Sequence, residues 1–153
     1  PAAGYRYMAR ELRENGALVY FEPSAIKEKA DFESIAASDI IKFSGENVQD
    51  VSFVKDYRDK LFIQTLGSEG LRFNLRGEGW VKLPPVENGN VMDWEGAGDW
   101  TTSAFLNALA ESEALSIKRL TSEVVKKALE SAQIVASKSV SYIGSKGMIC
   151  KNY

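Results

Sequence analysis

An α/β fold on a mainly parallel sheet is what this sequence predicts, and three observations carry it. The short strand-like segments Ala17-Leu18-Val19-Tyr20-Phe21, Ile40-Ile41-Lys42-Phe43 and Leu61-Phe62-Ile63 alternate with stretches of helical character. The first is apolar on both faces, as befits a sheet covered on two sides. A later pair of segments alternates apolar and polar residues about a glycine turn, which adds an antiparallel hairpin. Strands separated by helical segments then place the chain among α/β proteins, with helices flanking the sheet.

The elements follow in order. Residues 1 to 15 predict a helix, with Tyr5, Met8 and Leu12 at helical spacing and Gly16 as its C-terminal stop. Ala17 to Phe21 reads as a central strand, broken by Pro23-Ser24. A helix over Phe32 to Ala37 leads to the strand at Ile40, and a second helix is expected within Asn47 to Tyr57. The third strand ends at Gly67. Leu71, Phe73 and Leu75 alternate with Arg72, Asn74 and Arg76, and the turn Arg76-Gly77-Glu78-Gly79 returns the chain as Trp80 to Leu83. Pro84-Pro85 and Asn88-Gly89-Asn90 are loop. Helices over Asp99 to Ala110 and Ser122 to Val140 follow; in the second, Val125, Ala128, Leu129, Ala132, Val135 and Ala136 share one face. Gly144 and Gly147 make the tail turn-rich.

Composition bounds the chemistry. The 153 residues, 44% hydrophobic and 26% charged, suit one domain with a real core. Nineteen basic against 21 acidic residues leave no general basic field, so no nucleic-acid partner is expected. No apolar run approaches a membrane span and no secretory signal opens the chain, so no membrane partner is expected either. Histidine is absent, which removes Ser-His, Cys-His and His-metal schemes and leaves acid–base work to Asp, Glu, Lys or Tyr. The lone cysteine, Cys150, reads as a bystander thiol. The chain begins at Pro1 without a methionine, so the natural N-terminus is expected to lie upstream.

One segment carries chemistry: Asp93-Trp94-Glu95-Gly96-Ala97-Gly98-Asp99, directly before a helix. Gly96, Ala97 and Gly98 leave backbone N–H groups accessible at a helix N-terminus, where unpaired donors and the macrodipole favour an anion. Asp99 would stand beside that anion, poised to accept a proton. The same run also reads as a tight turn with Asp99 as the helix N-cap.

The segment resembles the C-terminal signature of the ribokinase-like carbohydrate kinases of the phosphofructokinase-B type. Other stretches match that family in order: Phe21-Glu22-Pro23-Ser24 is similar to its Asp-Pro-Asn segment, and Asp39 to Asn47 to the strand leading to its Asn-x-x-Glu motif. Thr65-Leu66-Gly67-Ser68-Glu69-Gly70 is similar to its Thr-Leu-Gly-x-x-Gly turn, and the closing helix with Ser141 to Gly147 to its adenine-side end. The resemblance spans the chain but corresponds to the C-terminal half of a family member. It implies a Rossmann-like three-layer α/β fold whose N-terminal half and lid are missing.

It also implies a cytoplasmic, ATP-dependent kinase that transfers phosphate to a sugar hydroxyl, with ATP and Mg²⁺ as cofactors. By resemblance Asp99 is the catalytic base, and Gly96, Ala97 and Gly98 supply the amides around the transferring phosphoryl group. Thr65, Gly67, Gly70, Asp93 and Ser137 fall on the nucleotide side, and Glu46 is the candidate metal carboxylate. No P-loop is present. A nucleoside is the alternative acceptor, and a non-catalytic nucleotide- or partner-binding relative is the alternative function. The departures are specific: Asn-x-x-Glu reads Ser44-Gly45-Glu46-Asn47, Glu95 places a charge beside the glycines, Trp94 and Trp100 flank the signature, and Thr101 stands where an aromatic is common. With no lid to exclude water and position the acceptor, little or no turnover is expected of this chain alone. A cut parent sheet would expose an edge, from which self-association or capture by a partner chain is expected.

Overall fold

The computed structural model describes residues 3–150; the expectations resting on Pro1 and on the Cys150 thiol lie outside the described residues and side chains. The chain divides into two compact units, residues 1–82 with 115–120, and residues 83–114 with 121–153.

The first unit carries the sheet. It opens with α1 (Ala3–Glu14), whose end is closed by a Schellman pair of bonds: Gly16 N–H donates to Arg13 O at 3.0 Å and Ala17 N–H to Leu12 O at 2.9 Å. Gly16 takes φ +87°, which a glycine adopts without strain. Then come β1 (Tyr20–Phe21), α2 (Lys29–Ala37), β2 (Ile40–Ser44), β3 (Leu61–Thr65), β4 (Leu71–Leu75) and β5 (Trp80–Leu83). The five strands stand in chain order, β1-β2-β3-β4-β5. The pairs β1–β2 and β2–β3 are parallel, with Phe21 opposite Ile41 and Ile41 opposite Phe62. β3 and β4 are antiparallel, so the sheet is mixed. The β4–β5 turn has Arg76 and Gly77 both at positive φ, closed by Glu78 N–H to Leu75 O at 3.0 Å, the primed geometry that matches strand twist.

Ile40 to Phe43 and Leu61 to Gln64 are buried on both faces, the polar Lys42 and Gln64 included. Phe21, Ile35, Ile41, Phe43, Val48, Val54 and Phe62 form one core cluster. Phe53 packs edge-on against Phe32 and Phe62 at ring separations of 5.9 Å.

Two expectations are corrected. The first strand is Tyr20–Phe21 only and stands at one end of the strand order rather than centrally. Ala17 is spent on closing α1, and Val19, just before the strand, donates its N–H to the Asp39 side chain while its carbonyl accepts from the Asp39 and Ile40 amides. The helix expected within Asn47 to Tyr57 is a single 3₁₀ stretch, Ser52–Asp56. There Gln64 Nε2 takes the Val48 carbonyl at 2.8 Å and Asp50 Oδ1 takes the Ser52 amide at 2.8 Å, so these backbone groups find partners outside a helix ladder.

A polar network ties α1 to the sheet. Asp39, almost fully buried, accepts from Arg13 Nε at 2.7 Å and from Val19 N–H at 2.9 Å. Arg13 also reaches Asp59. Buried Lys60 donates to the carbonyls of Ser38 (2.7 Å) and Ala36 (3.1 Å), satisfying acceptors at the end of α2. Burial pushes the Lys60 ammonium below its ordinary value, opposed by Asp59.

Asp31, Asp50 and Asp59 of this unit are all held below the usual carboxylate range, Asp50 by the Ser52 amide and hydroxyl, and two of them have partners well along the chain or in a helix cap. Asp31 is held below the usual carboxylate range by the backbone amides of Lys27 and Glu28, each 2.9 Å from its Oδ2. Asp59 is raised by desolvation, but the Lys60 charge and the Arg13 hydrogen bond outweigh this and lower it. A carboxyl more acidic when folded adds stability that is complete above its unfolded pKa and is lost as pH falls through the folded one. Thermal melts should therefore be indifferent to these groups down to about pH 4 and fall below it. Asp31→Asn should flatten that fall; an unchanged acid limb would remove Asp31 from the account.

The second unit pairs α3 (Ala97–Glu111) with α4 (Ser122–Ser139) and ends in α5 (Gly147–Cys150). Val125, Ala128, Leu129 and Ala132 of α4 are buried on the predicted face, with Phe105 and Leu109 from α3. Thr121 caps α4, its Oγ1 accepting from Val124 N–H at 3.2 Å. α3 begins two residues earlier than predicted, which places Ala97 and Gly98 inside its first turn. Among the described residues no helix is long and apolar enough to cross a membrane.

Candidate functional site

The glycine run lies in the second unit. Trp94 to Ala97 is a reverse turn with Gly96 third at φ 80°, ψ −3°, a conformation that favours glycine at that place. Ala97 N–H donates to Trp94 O at 3.3 Å, and Trp100 N–H donates to Gly96 O at 2.9 Å as α3 begins. The helix N-cap is Gly96, so Asp99 is not the cap but the third helical residue. Its carboxylate is exposed and makes no hydrogen bond or ion pair with another described residue. An unengaged carboxylate in the first turn of a 15-residue helix, where partial positive charge gathers, is available to a ligand. Of the three amides expected to hold an anion, that of Ala97 already has a partner within the chain.

Asp93 is engaged rather than open. Its Oδ1 accepts from Glu95 N–H at 3.0 Å and its Oδ2 from Gly144 N–H at 2.8 Å, and these backbone bonds hold its carboxyl below the usual range. The residue expected on the nucleotide side is a staple between the turn and the tail. The loop before it is fastened to the end of α4: Met92 and Asp93 amides donate to Val140 O at 2.8 and 3.1 Å, while Asn88 Nδ2 donates to the Ser137 carbonyl and, at 2.9 Å, to Ser141 Oγ. Ser137 is half-buried on α4, its carbonyl occupied in this way.

The remaining expected residues gather in the first unit, where β2 and β3 end side by side, at the carboxyl edge that hosts ligands in parallel sheets. Gly45 N–H donates to Thr65 O at 2.8 Å. The Glu46 carboxylate lies over Gly67, since a Cβ on Gly67 would stand 3.9 Å from its Oε1. Gly67 and buried Gly70 take φ +57° and +89°, and Leu66 N–H donates to Gly70 O at 2.8 Å. Glu46, Thr65, Gly67 and Gly70 thus share one neighbourhood. Among the described residues no group of three or more acidic, histidine or cysteine side chains could hold a metal.

Sequence reasoning missed two features. Lys42 is a buried cation on β2 paired with Glu22, which follows β1; a lone lysine in an apolar strand was the signal. The other is Ser145, which the resemblance places at the adenine-side end, whereas its chain packs directly on Gly96.

The sequence model of the pfkB family of carbohydrate kinases matches residues 14–150. This chain belongs to the pfkB family. Solved structures agree on the fold. Ribokinase from Giardia lamblia superposes with a TM-score of 0.73 at 21% identity over 93% of this chain and 50% of its own. Fructokinase from Vibrio cholerae O395, solved with fructose, ADP and calcium, gives 0.73 at 17% over 91% and 49%. A nucleoside kinase from Burkholderia thailandensis, solved with inosine, gives 0.70 at 18% over 92% and 46%. The chain therefore spans about half the length of these pfkB-like structures. Among curated proteins none matches it.

Proposed function

We propose that this pfkB chain is the nucleotide-binding and catalytic-base half of an ATP-dependent kinase acting on a sugar hydroxyl. What carries the reading is Asp99, exposed and unengaged in the first turn of α3, directly after the glycine turn of a pfkB sequence. Asp99 takes the proton of the acceptor hydroxyl, a step that positioned bases accelerate by about 10² to 10⁴. Amides at Gly96, Ala97 and Gly98 stabilise the transferring phosphoryl charge. Ala97 must give up its 3.3 Å bond to Trp94 to take part. ATP supplies the phosphoryl group.

The donor chemistry of the turn fits an anion, and the turn at Thr65, Gly67 and Gly70 is assigned to the nucleotide by resemblance. Asp93 acts by holding the glycine turn rather than by touching nucleotide, and Ser137 is assigned to the adenine side by its place on α4. Glu46 is exposed and its carboxylate makes no hydrogen bond or ion pair with a described residue, which suits a Mg²⁺ that keeps its waters and arrives with the phosphates. The acceptor is a sugar or a nucleoside, the two classes bound by the solved relatives. Turnover by this chain alone is little or none.

A second reading, a relative that binds nucleotide without catalysis, is favoured by Ser44-Gly45-Glu46-Asn47 and by the occupied Ala97 amide. Titrating the chain with ATP by calorimetry, with and without Mg²⁺, tests the shared part. Saturable binding that tightens with Mg²⁺ and survives in Asp99→Asn supports a nucleotide site. No heat under either condition sinks the nucleotide reading for this chain. Where turnover is measurable, Asp99→Asn should abolish it; unaltered turnover would remove Asp99 from the role of base.

A further inference from the structure

Two side chains bracket the glycine turn, Asp93 three residues before Gly96 and Trp100 four after it, and both reach the same short piece of tail. Asp93 Oδ2 accepts from Gly144 N–H, and Trp100 Nε1–H donates to Ser145 O at 2.9 Å. Trp100 also donates its backbone N–H to Gly96 O at 2.9 Å. The triangle closes between Ser145 and Gly96: a Cβ on Gly96 would lie 2.5 Å from Ser145 Cβ and 2.7 Å from its Cα. One tryptophan therefore holds both faces of a contact that is already at van der Waals limit.

A buried tryptophan usually finds a partner for its ring N–H, so what matters is which group it takes and what that group touches. Here the half-buried indole spends its single donor on a backbone carbonyl 45 residues away. Amides can stabilise developing charge only if their direction is set before the ligand arrives. We propose that Trp100 is a positioning residue: through Ser145 it clamps the tail against Gly96 and fixes the direction of the N–H groups that open α3. Asp93 does the same from the other side. The clamp itself stands on the geometry; its value to an anion rests on the proposed function.

Backbone ¹⁵N relaxation on the whole chain tests it. In the wild type, residues 96–99 and 143–146 should show rigid order parameters, near 0.85, and in Trp100→Phe these should fall toward 0.6 while α4 is unchanged. Loss of ATP affinity by about tenfold should accompany the fall, with little change in melting temperature. Order parameters at 96–99 that stay at wild-type values in a folded Trp100→Phe would overturn the proposal. So would a fall spread equally over α3 and α4, which would mark a purely structural tryptophan. Should that variant fail to fold, the wild-type indole resonances decide. A Trp100 Nε1–H that exchanges with solvent at least tenfold more slowly than that of exposed Trp94 supports the bond, and equal exchange overturns it. Wild-type protein that binds no ATP would sink the nucleotide reading while leaving the relaxation comparison intact.

Discussion

Gly96→Ala is expected to cost about 2–5 kcal/mol and to remove nucleotide binding. Two effects add. At φ +80° an alanine pays roughly 1–2 kcal/mol for left-handed backbone. Its methyl would also stand 2.5 Å from Ser145 Cβ and 2.7 Å from Cα, so backbone has to move, an overpacking effect of about 1–3 kcal/mol. Gly89→Ala is the control, for nothing lies within 4 Å of a Cβ there and its φ is ordinary; it should stay within about 0.5 kcal/mol of wild type. Thermal melts and ATP titration of both variants check the pair. A Gly96→Ala protein as stable as Gly89→Ala would mean that the turn does not need its left-handed residue.

Asp39→Ala is expected to destabilise the chain by about 3 kcal/mol. The Asp39 side chain is 3% exposed and satisfies two donors at once, the Arg13 guanidinium and the Val19 amide. Breaking a buried pair from one side costs about 3–5 kcal/mol when the surviving charge has no other partner. Arg13 keeps Asp59, which holds the loss to the lower end. In a chain of 153 residues that is a fall in melting temperature of roughly 6–12 °C. Asp39→Asn retains an acceptor for Val19 and should lose less than half as much. Equal losses in the two variants would place the stability in the charge alone.

What could be read from the residues was what neighbours in sequence decide. Gly16 stops α1 because the Schellman closure is local, and the buried face of α4 follows from spacing along one helix. β2 and β3 were legible as short strand-like segments set between helical ones. The segment after β2 failed for the opposite reason: its backbone is satisfied by Gln64, sixteen residues away, and no periodicity records such a bond. The site divides in the same way. The turn before α3 was visible in Gly96-Ala97-Gly98, whereas the engagement of Asp93 by Gly144 and of Trp100 by Ser145 spans 51 and 45 residues. A motif can name the residues of a site long before it says which of them are already spoken for by the fold.

The strand order of the sheet bears on how the chain acquires its structure. Because β1 to β5 stand side by side in the order in which they are translated, each new strand adds to the one before it, and no later strand has to be inserted between two already paired. Loop closures are accordingly short, and low sequence separation between partners favours rapid assembly. A segment ending at residue 75 therefore contains β1 to β4 complete, each next to its partner in the sheet.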